Sequence, residues 1–231
     1  LENQTREAQV RLAEVRAQVL EAYRDRPSQQ AGIIALAALM RLRQICISPA
    51  ILDPAHGGPS PKIEHLAGKL AELASEGHAA LVFSQFTRAL DLVGRRLAAE
   101  KIPFLRMDGS TPTPRRKKLV GDFQSPSGPG IFLISLKTGG AGLNLTRASY
   151  VFHLDPWWNP AVENQASDRA HRMGQRRTVF IHRLIMRHTI EEKMLELKRR
   201  KQELFRRIVE GTETRATGPL ITREDFQFLV G

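Results

Sequence analysis

The sequence predicts an α/β fold, a parallel sheet with helices on both faces, with a helical segment before it and a long basic helix after it. Three observations predict this. From Ala79 onward, apolar runs of five or six residues alternate with helical stretches of ten to fourteen, as expected of strands buried on both faces by crossover helices. Hydrophobic residues make up 42 % of the 231, enough for a substantial core. The chain has neither an internal repeat of fixed period nor a low-complexity tract.

Residues 1 to about 25 read as a helix, with Leu12, Val15, Val19 and Ala22 recurring at three and four. Pro27 and Ser28 break it. A second helix follows from about Gln30 to Ile45 through Ala35, Leu36, Leu39 and Leu42. Asp53 to Pro61, DPAHGGPSP, is dense in turn residues and is the clearest linker. On this reading residues 1–60 are a helical accessory segment with its linker, 61–188 the core, and 189–231 a C-terminal helix and tail.

A third helix runs from Lys62 to about Glu76 and stops near Gly77. Ala80 to Ser84 is a strand, Thr87 to Glu100 an amphipathic helix, Pro103 to Met107 a strand, and Pro112 to Phe123 a helix opened by its proline. Gly130 to Ser135 and Tyr150 to Leu154 are the next two strands. Pro160 to about Met173 reads as a helix, with Asn159 as its cap, Pro160 in its first turn and Gly174 at its end. Thr178 to Ile185 is the last strand. Thr189 to about Glu210 is a long helix with Ile190, Met194, Leu197, Leu204 and Ile208 on its apolar face. Its KRRKQELFRR run reads as the wet side of a packed helix. Thr222 to Val230 has the box-like spacing of a short capped helix.

Composition narrows the function. Lys and Arg number 35 against 24 Asp and Glu, a formal net charge of +11, which favours a polyanionic partner, nucleic acid first. The single cysteine, Cys46, excludes an intramolecular disulfide and a Cys-rich metal site, and its apolar neighbourhood marks a small core residue. No apolar run reaches membrane-spanning length, and the first residues, LENQTREAQV, lack the pattern of a signal peptide. The chain does not open on Met, so a piece of a longer protein is expected.

In an open parallel sheet, ligands bind in the loops at the carboxyl ends of the strands. Those loops are Ser84-Gln85-Phe86-Thr87, Asp108-Gly109-Ser110-Thr111, Leu136 to Leu145 with its run of glycines, and Asp155-Pro156-Trp157-Trp158-Asn159-Pro160. All gather on one edge, where backbone N–H groups and hydroxyls suit phosphates. The last loop leads into NQASDRAHRMGQ, Asn164 to Gln175. At about 100° per residue, Gln165, Arg169 and Arg172 share one narrow helical stripe, and Arg forks match phosphate oxygens.

Other parts are missing. No G-x-x-x-x-G-K-[ST] phosphate loop occurs, nor an Asp-Glu pair after a strand to hold Mg²⁺. The closest His pair, His182 and His188, lacks the partners of a metal site, and no Ser/His/Asp or Cys/His set stands out. Anion-binding loops and candidate arginine fingers without a cradle for ATP describe half of a two-lobed motor.

The sequence resembles the second RecA-like lobe of Swi2/Snf2-family ATPases, in helicase superfamily 2, over essentially its whole length. LVFSQF resembles motif IV, MDGST the motif that follows it, SLKTGGAGLNL motif V, and DPWWNP with QASDRAHRMGQ the family's linking segment and motif VI. LRQICISPAIL and HTIEEKMLELKRRKQ also resemble family features, and the layout ending near ITREDFQFLV looks bacterial or archaeal. The resemblance implies a RecA-like sheet, with the N-terminal helices as the family's helical insertion and the Thr189 helix as its brace. It implies that Gln165, Arg169 and Arg172 face ATP across the cleft between lobes, the two arginines acting as fingers on the γ-phosphate. Gly142 and Asn144 would lie near the nucleotide. Ser84, Gln85, Gly109, Ser110, Lys137, Thr138 and Gly139 would contact the nucleic-acid backbone, and Trp157 and Trp158 would couple ATP to DNA.

The function so implied is the C-terminal motor lobe of an ATP-dependent double-stranded DNA translocase. Its partners are duplex DNA, the N-terminal RecA-like lobe of the same protein and a DNA-bound protein target, with no membrane. ATP and Mg²⁺ would be held mainly by the first lobe, and this lobe alone would be inactive as an ATPase. The rival reading is a non-catalytic nucleic-acid-binding or docking module that kept the fold. One geometric expectation follows from the missing first lobe: Arg169 and Arg172 should lie exposed to water.

Overall fold

In the computed structural model the described residues are 28–56, 58–138, 143–157, 160–170, 178–209 and 223–230, with positions 10, 13, 14, 17 and 21 besides. The helix expected over residues 1–25 therefore lies almost wholly outside the described residues. The chain divides into two compact units, residues 53–185, and residues 1–52 with 186–231.

The first of these units holds a five-stranded sheet of order β2-β3-β1-β4-β5, with every neighbouring pair parallel. The strands are β1 (Ala80–Ser84), β2 (Phe104–Met107), β3 (Ile131–Ser135), β4 (Tyr150–His153) and β5 (Phe180–Arg183). Every residue of β1 and β3 is buried, as the unbroken ALVFS and IFLIS runs require of central strands. Register sets Ser84 opposite Ser135 and Phe83 opposite His153. The carboxyl ends of β1, β3 and β4 therefore finish together, and the loops that follow share one edge.

Helices cover both faces. Leu81 and Phe83 pack with Phe132, Ile134, Met107 and Val151 into one core cluster. It is completed by Phe123 of α4 (Thr113–Gln124) and by Ala166 of α5 (Pro160–Ser167). On the opposite side α3 (Thr87–Ala99) packs on β1 and β3, and α2 (Pro61–Ser75) packs on α3. A methyl group on Gly94 of α3 would come within 3.0 Å of Phe104 and 3.7 Å of Leu133, so α3 sits directly on β2 and β3. The start of α2 is fixed by Ser60, whose Oγ accepts the Ile63 N–H at 3.4 Å, with Pro61 in the first turn. Gly77 stops it at φ +73°, and the His78 N–H reaches back to the Leu73 carbonyl at 2.9 Å, a left-handed cap that favours glycine.

The other unit is helical. It contains α1 (Ser28–Ile47), a short 3₁₀ turn at Pro49–Ile51, α6 (Ile190–Val209) and α7 (Arg223–Val230). Helix α1 buries Ala35, Leu39, Leu42 and Cys46 and packs on α6, which in turn packs on α7. Thr189 caps α6, its Oγ1 accepting the Glu191 N–H at 3.2 Å while the Glu192 carboxylate receives the His188 N–H at 2.7 Å, a reciprocal pair of the capping-box kind. Thr222, the expected cap of the last helix, is outside the described residues.

Two elements differ from the sequence reading. Pro112 is not the opening residue of α4 but its cap, at ψ 147°, and Pro114 occupies the first turn. Helix α5 ends at Ser167 rather than near Met173. The last i→i−4 bond runs from Asp168 to Asn164 at 2.8 Å, after which Arg169 and Ala170 bond to Ala166 and Ser167 three residues back. Ser167 is also drawn aside, its Oγ donating to the Glu163 carbonyl at 3.2 Å and lying 2.9 Å from His153 Nε2. Side-chain bonding to the preceding turn competes with continued helix.

Candidate functional site

The connection after β1 leads towards β3 and β2, and the one after β4 leads towards β5. The strand order reverses between β1 and β4, and the crevice at such a point is where open sheets bind ligands. Here protein side chains span it. Ser84 Oγ donates to Asp155 Oδ1 at 2.5 Å, the Gln85 backbone N–H to the same oxygen at 3.3 Å, and Gln85 Nε2 to Asp155 Oδ2 at 2.6 Å. Ser84 and Asp155 have no exposed surface and Gln85 is 5 % exposed. Both carboxylate oxygens are thus engaged, which offsets the cost of burying the charge. Ser84 Oγ also accepts the Phe86 N–H at 3.1 Å, fixing the turn into α3.

Beneath this crevice the network continues. His153 stacks on Phe83 with centroids 5.7 Å apart, and Arg183 Nε lies 3.4 Å from the buried Glu163 carboxylate, tying α5 to β5. Arg169 is 3 % exposed, with its guanidinium carbon 5.6 Å from the centroid of the Phe83 ring. Its carbonyl accepts the Leu145 N–H at 2.9 Å, joining the segment after α5 to the end of the β3–β4 loop. The expectation of a water-exposed Arg169 is therefore corrected: the side chain is buried over an aromatic face, where a guanidinium finds both cation–π attraction and packing. Gln165 is exposed. Gln165 and Arg169 therefore differ in exposure, and after Ser167 the chain tightens to three residues per turn, which adds about 20° per residue to the helical angle. Arg172 lies outside the described residues.

The loop after β2 is ordered by its own polar groups. Asp108 Oδ1 accepts the Ser110 hydroxyl at 2.6 Å and the Ser110 N–H at 2.9 Å, and the Asp108 N–H donates to Thr111 Oγ1 at 3.0 Å. The Ser110 hydrogen bonds, helped by Arg106, hold the Asp108 carboxyl below the ordinary aspartate range. Arg116 closes the loop from α4, donating to the carbonyls of Thr111 at 2.7 Å and Gly109 at 3.0 Å. Gly109 and Ser110 remain exposed at the tip, positioned to meet a ligand backbone.

In the loop after β3, a 3₁₀ turn over Leu136–Thr138 buries Thr138, whose Oγ1 donates to the Ser135 carbonyl at 2.6 Å. Lys137 belongs to that turn, and its side chain is outside the described set, as are Gly139 and Gly142. Asn144 is exposed, and its carbonyl accepts Gln124 Nε2 at 3.3 Å. Trp157 is half-buried against the core cluster; Trp158 falls outside the described residues.

Comparison with known proteins places this geometry. The description Helicase conserved C-terminal domain matches residues 61–174. DNA repair protein RAD5B of Arabidopsis thaliana is 43 % identical over 159 residues, 68 % of this chain and 12 % of that protein. A solved Sulfolobus solfataricus SWI2/SNF2 ATPase C-terminal domain superposes with TM-score 0.75 at 25 % identity, covering 99 % of this chain and 93 % of that one. The chain belongs to the Swi2/Snf2 family, as its C-terminal RecA-like lobe. The Swi2/Snf2 ATPase core of the same organism, solved in complex with double-stranded DNA, superposes with TM-score 0.72 at 28 % identity, covering 91 % of this chain and 44 % of that one. The chain spans about an eighth of the length of the curated relative named above.

In this Swi2/Snf2 lobe the sheet brings Ser84, Gln85, Asp155 and Arg169 to the β1–β4 crevice, and sets Gly109 and Ser110 two strands away at the tip of the β2 loop. It does not present Ser84, Gln85 or Thr138 as open side chains, since each is turned inward onto a protein acceptor. Sequence reasoning missed the roles of Asp155, His153, Ser167 and Arg116. For Asp155 a signal was available, an acidic residue directly after an apolar strand on the ligand edge. No comparable signal marks His153 or Ser167, which acquire meaning only when α5 folds back over β4.

Proposed function

We propose that the chain is the C-terminal motor lobe of an ATP-dependent translocase on double-stranded DNA, active in a full-length protein that carries the first lobe. The observation that carries this reading is the gathering of the loops after β1, β2, β3 and β4 on one edge of a parallel sheet, in a lobe that superposes on a Swi2/Snf2 core solved with duplex DNA. The exposed Gly109 and Ser110 tip, the backbone of Lys137 to Gly139 and the turn at Ser84 and Gln85 are assigned to the DNA backbone. With Ser84 and Gln85 committed to Asp155, their part is to hold that turn.

ATP suits the other end of the edge. A guanidinium and amides match polyphosphate oxygens in charge and geometry. Arg172 is assigned as the arginine finger, with Gln165, Gly142 and Asn144 beside the nucleotide. Arg169 is assigned as a second finger that starts from a buried position over Phe83 and reaches phosphate when the lobes close. Trp157 and Trp158 are assigned to couple ATP to DNA. For Mg²⁺ the described residues offer no group of three His, Cys, Asp or Glu. The metal, with most contacts to ATP, is assigned to the first lobe. ATP supplies the driving reaction; this lobe binds the duplex, orients the finger segment and closes the cleft against water.

The test is ATP turnover by the intact protein with and without duplex DNA, beside this chain alone. Stimulation of the intact protein and no turnover by the chain alone are expected. An intact protein indifferent to duplex DNA would overturn the motor reading in favour of a docking module.

A further inference from the structure

We propose that the solvent face of α4, through Arg115, Lys117 and Lys118, is a second contact surface for the duplex phosphate backbone, continuous with the tip of the β2 loop; this rests on the DNA-translocase reading above. Helix α4, TPRRKKLVGDFQ, carries four consecutive cations and a single carboxylate, Asp122, at its far end. Its apolar side, Leu119, Val120 and Phe123, meets the core cluster. Arg116, which falls on that side, is spent on the Thr111 and Gly109 carbonyls. Arg115, Lys117 and Lys118 are exposed and, at about 100° per residue, spread across the remaining face.

Two features separate these three from an ordinary solvated helix face. Several cations elsewhere in this unit are matched: Lys69 with Glu72, Arg96 with Glu64 and Glu100, Arg106 with Asp91 and Asp108, Arg183 with Glu163. Among the described residues, Arg115, Lys117 and Lys118 have no acidic partner. Their position also runs against the helix itself. The amino-terminal turns of a helix carry a partial positive charge that favours acids, yet the first turn of α4 has none, and Arg115 and Lys118, three residues apart, set like charges side by side. An arrangement that costs the free protein stability is relieved when an anion spans it.

The location selects which anion. Strand β2 is at the margin of the sheet, three strand spacings from β4, or roughly 14 Å. The nucleotide is assigned to the other end of that edge, beside the Arg169 crevice. Helix α4 begins beside the exposed Gly109 and Ser110 tip, on the same edge as the loops assigned to DNA. A phosphate backbone crossing that tip continues onto α4, where point charges on flexible stems suit contacts independent of sequence.

The experiment measures duplex affinity against salt for the intact protein, for the triple variant Arg115→Gln, Lys117→Gln, Lys118→Gln, and for a control, Arg95→Gln with Lys101→Gln, which removes exposed charge near the opposite edge. Thermal melting of each protein checks the fold. The triple variant is expected to lower the slope of log affinity against log salt by about 3 and to weaken binding at least about tenfold near 0.1 M salt; the control should change the slope by less than 1. Equal effects of triple variant and control would overturn the proposal, leaving only diffuse charge. Unchanged DNA binding with lost binding to poly-glutamate would overturn it too, and assign the face to an acidic protein. If the unaltered protein binds no duplex, it is the translocase reading that fails.

Discussion

Ser84 and Asp155, 71 residues apart in the chain, share a 2.5 Å hydrogen bond that closes the crevice between β1 and β4. With Gln85 supplying the other two donors, Asp155 ties the turn after β1 to the segment that leads into α5. Removing the carboxylate strands buried donors, each costing about 1–3 kcal/mol. Asp155→Ala is expected to destabilise the chain by about 3 kcal/mol, and Ser84→Ala by about 1 kcal/mol. Asp155→Asn keeps the shape but sets an NH₂ group against one of the donors, and should fall between them. Urea unfolding of the three variants and of the Ser84–Asp155 double variant gives the coupling. Additive effects would show that the two side chains do not act together.

Acid should loosen the β2 loop. Hydrogen bonds from Ser110 hold the Asp108 carboxyl below its ordinary value in the folded chain. A depressed folded value means the unfolded chain takes up a proton first as pH falls. The contribution is complete above the ordinary aspartate value, about 3.9, and disappears as pH drops through the folded value. Asp108→Asn should therefore be less stable than the parent at pH ~6, with the gap shrinking below pH ~4. Unfolding midpoints across that range check it, and a gap that widens with acid would reverse the assignment.

The turn after α4 depends on Arg147 and Gly128. Arg147 donates to the carbonyls of Phe123 at 2.6 Å, Gly128 at 3.1 Å and Pro126 at 3.2 Å, capping the helix from outside while its guanidinium lies 5.7 Å from the Phe123 centroid. Burial lowers its pKa below the ordinary arginine value, but a guanidinium stays charged at any working pH. Arg147→Lys keeps the charge and loses the fork, so a loss of about 2 kcal/mol is expected. A β-carbon on Gly128 would fall 1.8 Å from the Asp122 carbonyl oxygen, so Gly128→Ala must displace backbone and should cost more than Arg147→Lys. Thermal melts rank the two, and a Gly128→Ala chain as stable as the parent would refute the packing argument.

Much of this architecture was readable because its causes are local. The ALVFS and IFLIS runs are buried end to end, and an unbroken apolar run of that length has few other fates in an α/β chain. Pro61 and Gly77 mark the ends of α2 by φ alone. What could not be read depends on distant partners. Ser84 and Gln85 look like free loop polars until Asp155 arrives from β4. The helix looks continuous past Ser167 until His153, 14 residues earlier, meets the Ser167 hydroxyl. Arg169 looks exposed on a helix that continues, whereas the chain tightens after Ser167 and the side chain is buried.

That burial separates the two motif VI arginines by experiment. Arg169→Ala leaves a space over Phe83 and removes a side chain that is 3 % exposed, so it should lower stability by about 2–3 kcal/mol as well as ATP turnover. Arg172→Ala, assigned to the γ-phosphate, should cut turnover of the intact protein by about 10³ while duplex affinity stays within about twofold. Measuring turnover, duplex affinity and melting for both variants distinguishes a finger from a strut. A stable Arg169→Ala protein with lost turnover would make Arg169 a finger alone. A destabilised one whose residual folded fraction turns over normally would make it a strut alone. Near-normal turnover in Arg172→Ala removes the finger assignment from that residue.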